Sequence, residues 1–189
     1  MSNPRATSAE SLELIAGEVR GILGLVDPVR LDEVADLVST ADRVFVHGAG
    51  RSGLALRMTA MRLMHLGLDV HVVGEVTTPA IRQGDVLLTA SGSGTTSGIV
   101  QAARTAIAAG ASVAALTTSS SSPLADLATV TLVVPAADKL DRSGAASAQY
   151  AGSLFEQAVA LLGDAVFHTL WMRSGQTADT LWPRHANLE

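Results

Sequence analysis

The chain has 189 residues, 48% of them hydrophobic, a formal net charge of −5 at pH 7 and no cysteine. A single lysine, Lys139, among thirteen basic residues leaves no basic stripe to neutralise a nucleic-acid backbone, and the missing thiols exclude disulfides, thiolate zinc sites and a cysteine nucleophile. No stretch approaches the ~18 apolar residues of a membrane span, so neither a membrane nor nucleic acid is an expected partner.

The length and positive mean hydropathy suffice for one good-sized core, and a single domain is expected. Within it, 1–41 reads as N-terminal helices, 42–173 as a sheet with covering helices, and 174–189 as a C-terminal tail. The five histidines, at 47, 65, 71, 168 and 185, show no ligand spacing, so no metal is expected. Residues 1–10 carry Pro4 and Arg5 with no apolar run behind them, which predicts no leader and a cytoplasmic location. With only six aromatics and abundant alanine, the core must be aliphatic and its helices closely spaced.

In chain order, 8–25 places Leu12, Ile15, Ala16, Val19, Ile22 and Leu23 on one helical face, with Ser8 as N-cap. A second helix starts where Asp27 caps and Pro28 takes the first helical position, continuing through Leu31, Val34, Ala35 and Val38. Both precede the sheet and cover one of its faces or build a subunit interface. From Arg43 onward short apolar runs alternate with helical ones, the pattern of a parallel sheet with right-handed crossovers. Strands are predicted near 43–47, 69–73, 85–90, 112–117 and 129–134. Helices are predicted at 52–66, 97–109 and 153–173, with a short turn around Pro123-Leu124-Ala125-Asp126. The strands are β-branched and nearly free of charge, as strands buried on both faces are. The fold class is therefore α/β, a three-layer αβα sandwich on a five-stranded parallel sheet of flavodoxin-like order 2-1-3-4-5.

That order opens a ligand crevice between the first and third strands at their carboxyl ends. Two glycine- and serine-rich loops border it. After the first strand comes Gly48-Ala49-Gly50-Arg51-Ser52-Gly53; after the third comes Ser91-Gly92-Ser93-Gly94-Thr95-Thr96. Glycines let the backbone approach a ligand, the first amides of the following helix are unsatisfied, and its dipole favours an anion there. Phosphate is the anion these groups suit, and this reading stands above that of a merely flexible turn because the two loops are paired. The lack of a Gly-Lys-Ser/Thr ending separates the loops from the nucleotide P-loop. Gly48-x-Gly50-x-x-Gly53 also fits a dinucleotide fingerprint, but Asp69, about twenty residues on, opens its strand where the ribose-binding acid should close it.

Glu156 opens the last long helix near the crevice. It reads either as a general base with a partly desolvated carboxyl, or as the glutamate of a Ser153-x-x-Glu156 capping box. Glu75, after the second strand, offers a further carboxylate, for which a solvated turn is the simpler account. Arg142 lies in a loop of small residues, 135–149, from which it could close over a phosphate or remain solvated. The polar ending Pro183-Arg184-His185-Ala186-Asn187-Leu188-Glu189 carries a histidine that titrates near neutrality, in a region where chains usually fray.

Taken together, these residues resemble the sugar isomerase (SIS) domain family, and within it the 6-phospho-3-hexuloisomerases of the ribulose monophosphate pathway. The resemblance rests on Gly48-Ala49-Gly50-Arg51-Ser52-Gly53, Ala60-Met61-Arg62-Leu63-Met64-His65-Leu66-Gly67, Val73-Gly74-Glu75 and Thr78-Pro79-Ala80-Ile81. It continues in Ser91-Gly92-Ser93-Gly94, Ser122-Pro123-Leu124-Ala125 and the ending Arg184 to Glu189. Thr95 departs from it, standing where the family usually has glutamate. The resemblance implies a cofactor-independent conversion of D-arabino-hex-3-ulose 6-phosphate into fructose 6-phosphate. A base takes the C2 proton beside the C3 ketone, a cis-enediol forms, and the proton returns at C3. It further implies that Ser52, Ser91, Gly92, Ser93, Gly94, Thr95 and Thr96 hold the phosphate, with Arg51, Glu75 and Arg142 as further substrate contacts. Glu156 becomes the base, and His185 assists oxygen protonation or ring opening, from a neighbouring subunit of a homotetramer. Two other readings remain: a different phosphosugar aldose–ketose isomerase, and a noncatalytic phosphosugar-binding module.

Overall fold

Five aliphatic runs pair in parallel: Val44–Gly48 (β1), Val70–Val72 (β2), Val86–Ala90 (β3), Ser112–Thr117 (β4) and Val130–Val133 (β5). Their order is β2-β1-β3-β4-β5 in the computed structural model, which describes residues 7–137, 141, 143 and 146–188. The helices are Ser8–Leu23 (α1), Pro28–Thr40 (α2), Gly50–Leu66 (α3), Ser97–Ala108 (α4), Ser153–Ser174 (α5) and Ala178–Leu181 (α6). Side chains alternate across the sheet. Val44, Val46, Leu88, Leu116 and Leu132 pack under α2, α3 and α5, while Phe45, Leu87, Val113 and Ala115 pack under α4 and Leu124. The expected fold class and strand order are therefore observed. The register sets Gly48 opposite Ala90 and Ala90 opposite Leu116, so the carboxyl ends of β1, β3 and β4 finish level.

Two buried features fix the frame. Asp85, 1% exposed at the foot of β3, accepts from Arg43 Nε and Nη2 at 3.0 and 2.6 Å and from the Arg82 N–H at 2.7 Å. Burial pushes its pKa up, but these donors outweigh burial and hold the carboxyl below its ordinary range. On the opposite sheet face α3 and α5 approach so closely that a Cβ at Gly163 would land on the Thr59 hydroxyl.

Helix ends differ from expectation in specific ways. Thr7, not Ser8, caps α1: Thr7-x-x-Glu10 forms a reciprocal capping box, which puts Ser8 inside the helix. Asp27 caps α2 as expected, accepting from Val29 N–H at 2.9 Å. The tail does not fray. Residues 178–184 form α6 and a single 3-10 turn, and Arg184 donates to the His65 carbonyl and to Gln176 Oε1 at 3.1 and 3.2 Å. The guanidinium also occupies the space beside Gly67, which takes φ +101 at the α3 C-cap. A cation thus closes the negative end of the α3 dipole and satisfies a terminal carbonyl. The His185 ring stacks on His65 at 4.0 Å between centroids and meets Trp182 at 4.7 Å.

His65 is buried and its Nδ1 has no hydrogen-bond partner. Burial, with His185 and Arg62 nearby, lowers its pKa below the ordinary 6.5. The unfolded chain then takes up a proton below about pH 6.5 that the folded chain resists, so this contribution to stability is complete above that pH and is lost as pH falls. His65→Phe should keep the stack and show a smaller drop in Tm between pH 7.5 and 5.5 than the parent, as read by thermal melts at both pH values.

Candidate active site

Both glycine loops open into one cavity of about 160 Å³, lined by Gly50, Ser52, Ser91, Ser93, Thr96 and Glu156 among others. It lies at the switch point between β1 and β3. Gly48 and Gly53 make the first wall possible: a Cβ at Gly53 would collide with the Gly48 carbonyl, and one at Gly48 would sit 2.9 Å from the Gly53 Cα. With backbone against backbone, only Ala49 separates β1 from α3, and Ser52 falls on the first turn of that helix.

Three helices begin at the cavity: α3 after Ala49, α4 after Thr96 and α5 after Gly152. None of the three carries a side-chain cap. By contrast, Thr7, Asp27 and Thr177 cap α1, α2 and α6 with their own side chains. Thr96 stands at an N-cap but spends its hydroxyl elsewhere, 2.9 Å from Ser91 Oγ. The open amides and positive dipole ends of three helices therefore converge on one small polar space, an arrangement that favours an anion without calling on lysine.

Glu156 does not cap α5. The helix is capped at Gly152, Ser153 is its first residue, and the Glu156 carboxylate pairs with Arg51 Nε at 2.7 Å across the cavity mouth. The capping-box reading is thus replaced, because a Ser-x-x-Glu box needs its serine at the N-cap. The approach to α5 is anchored from far away in the chain. Glu18 on α1 accepts from Ser147 Oγ and the Ala148 N–H, both at 2.7 Å, and from Gln149 Nε2 at 3.0 Å. Burial pushes the Glu18 pKa up, and these three donors more than offset it, keeping the carboxyl below its usual value.

The remaining expected residues divide. Gly92 lines the cavity under the Phe155 ring, whose nearest atom would be 3.5 Å from a Cβ at Gly92. Gly94 and Thr95 do not line it: Gly94 turns at φ +62 against Ser122, and Thr95 Oγ1 donates to Ser93 Oγ at 3.0 Å. Glu75 is ion-paired with Arg57 at 2.5 Å, away from the cavity. Arg142 lies outside the described residues. His185 sits at the opposite end of α3 from Ser52, about 20 Å away along the thirteen-residue rise. Among the described residues no cluster of three or more His, Asp or Glu could hold a metal ion, and no helix is long and apolar enough to cross a membrane.

Phe155 lines the cavity, with Ala90 and Ala137, and was not among the expected site residues; in a chain with three phenylalanines, its place beside Glu156 is the available signal. His47, at the end of β1, is another polar group near the strand ends. Burial lowers its pKa against an opposing backbone hydrogen bond at Gly98, and it does not line the cavity.

A parallel α/β sheet with paired Gly/Ser loops and open helix ends at its switch point defines a class of anion-binding α/β domains. Within that class the chain belongs to the SIS domain family, which matches residues 37–160. It is 55% identical to a Mycobacterium gastri protein named 3-hexulose-6-phosphate isomerase, over 95% of this chain and 90% of that one. It is 36% identical to a Bacillus subtilis protein of the same name, over 96% and 99%. A Methanococcus jannaschii crystal structure, from which a 3-hexulose-6-phosphate isomerase function was inferred, superposes with a TM-score of 0.82 at 27% identity, covering 95% of this chain and 99% of that one.

Gly53→Ala should lower stability by about 1–3 kcal/mol in chemical denaturation, because the added methyl forces β1 and α3 apart. Gly50→Ala, with open space around its Cβ site, should be limited to the strain of its φ of +56.

Proposed function

We propose that this chain is a cofactor-independent isomerase that interconverts D-arabino-hex-3-ulose 6-phosphate and D-fructose 6-phosphate. The observation that carries this reading is the convergence of three helix N-termini without side-chain caps on one cavity that also holds a carboxylate. The substrate follows from the names of the Mycobacterium gastri and Bacillus subtilis relatives.

In this mechanism the phosphate sits on the open amides of α3 and α4, with Ser52, Ser91, Ser93 and Thr96 as hydroxyl partners. The sugar then extends toward α5. Glu156 leaves Arg51 and removes the C2 proton, the electron pair moves onto the C3 carbonyl oxygen as a cis-enediolate forms, the hydroxyl proton passes from O2 to O3, and Glu156 returns its proton to C3 as the C2 ketone forms. Open amides at the head of α5 offer donors to the developing oxyanion, and Arg51, once released, can meet the same charge. His185 assists oxygen protonation or ring opening in the site of a neighbouring subunit of a homotetramer. Two features support the exchange: the tail ends far from its own cavity, and Leu54, Met58 and Met61 leave an exposed apolar stripe along α3 for a second copy. The whole chain acts as one domain, in the cytoplasm.

Isomerisation of enzymatically generated hexulose 6-phosphate, read as fructose 6-phosphate through a coupled dehydrogenase, tests the activity. Turnover should survive chelator, and Glu156→Gln should lower kcat by about 10²–10⁴-fold; near-normal turnover in that variant would move the base elsewhere. For the shared site, mixing Glu156→Gln with His185→Ala should restore activity in hybrid oligomers. No recovery at any mixing ratio would assign each site to one chain.

A further inference from the structure

Ser122-Pro123-Leu124-Ala125 and the hydroxyls at the end of β4 take no part in this chemistry, yet they are tied to the proposed phosphate loop at several points. The Gly92 carbonyl accepts from Thr117 Oγ1 at 3.0 Å, from the Thr118 N–H at 3.0 Å and from Thr118 Oγ1 at 2.8 Å. The Gly94 carbonyl accepts from the Leu124 N–H at 3.0 Å, and Ser122 fills the space where a Gly94 side chain would stand. Thr117 is fully buried and Ser122 nearly so.

We propose that Thr117 and Thr118 are positioning residues for the phosphate loop: by holding the Gly92 carbonyl toward β4, they present the Ser93 N–H to the cavity. The inference rests on the reading of Ser91–Thr96 as the phosphate cradle. A trans peptide carries its N–H opposite its C=O, so three donors on the Gly92 oxygen aim the Ser93 amide away from them. A carbonyl has two lone pairs, which the three donors share, so that losing either hydroxyl loosens its direction. Such a brace is needed here because the loop contains two glycines, one already at φ +62, and glycine permits the peptide to turn over. A turned peptide would face its carbonyl oxygen toward the phosphate dianion and remove a donor at once. The brace leaves the reacting carbons untouched, so its effect falls on binding.

Thr117→Val and Thr118→Val should each raise KM for hexulose 6-phosphate and the inhibition constant of inorganic phosphate together, by about 3–10-fold. kcat should stay within about twofold, and Thr117→Ser should restore both constants. A lower Tm with both constants unchanged would overturn the proposal. Thr118→Val, at a half-buried position, carries the test if Thr117→Val does not fold. Ser93→Ala and Thr96→Val separate the two levels. If they weaken phosphate inhibition and the threonine variants do not, the brace alone fails. If they leave inhibition unaltered, the phosphate reading fails and the brace with it.

Discussion

The contact on which the rest of the site depends is backbone on backbone, between Gly48 at the end of β1 and Gly53 in the first turn of α3. Any side chain at either position would push the helix off the strand. Because none is present, α3 begins one residue after β1, and its first amides lie level with the loop after β3. A parallel sheet provides a crevice at its switch point in any case; this contact narrows it so that both loops line one cavity of about 160 Å³.

The electrostatics of that space are unusual for the phosphate role proposed above. The cavity lining contains no basic side chain, and the nearby cation, Arg51, is committed to Glu156. Positive potential comes instead from open helix ends, whose strength rests on backbone geometry and needs no reorganisation when a ligand arrives. The cost of this arrangement is paid in uncapped helices, and the fold compensates elsewhere: side chains cap α1, α2 and α6, and Arg184 closes the far end of α3.

Much of this was legible in the sequence because it is local. The five strands, the Asp27-Pro28 start and both glycine loops are encoded by neighbouring residues with short-range physics. Part of what was illegible depends on partners far away in the chain. Ser153-x-x-Glu156 has the spacing of a cap, but the pull of Arg51 across the cavity and the start of α5 at Gly152 decide otherwise. Thr7 displaces Ser8 as the α1 cap because Glu10 lies three residues beyond Thr7, a signal that is itself local. Gly94 and Thr95 belong to the loop motif but turn toward Ser122 and Ser93, which spacing does not reveal. The tail reads as frayed from its polarity, yet it is held by the carbonyls at the end of α3 and by a histidine stack.

The close passage of α3 and α5 at Thr59 and Gly163 has a consequence for how such a site can diversify. Thr59 lies seven residues after Ser52 and Gly163 seven after Glu156, so the contact sits two helical turns below the cavity on both of its walls. It fixes how closely the two walls approach. Side chains of different bulk at these two positions would tilt the helices and change the span between the loops and the Glu156 carboxylate while leaving the identity of every cavity-lining residue unchanged. A lineage could therefore adjust the length of the molecule it accepts from inside the core, and the loops that carry the resemblance would not record the change.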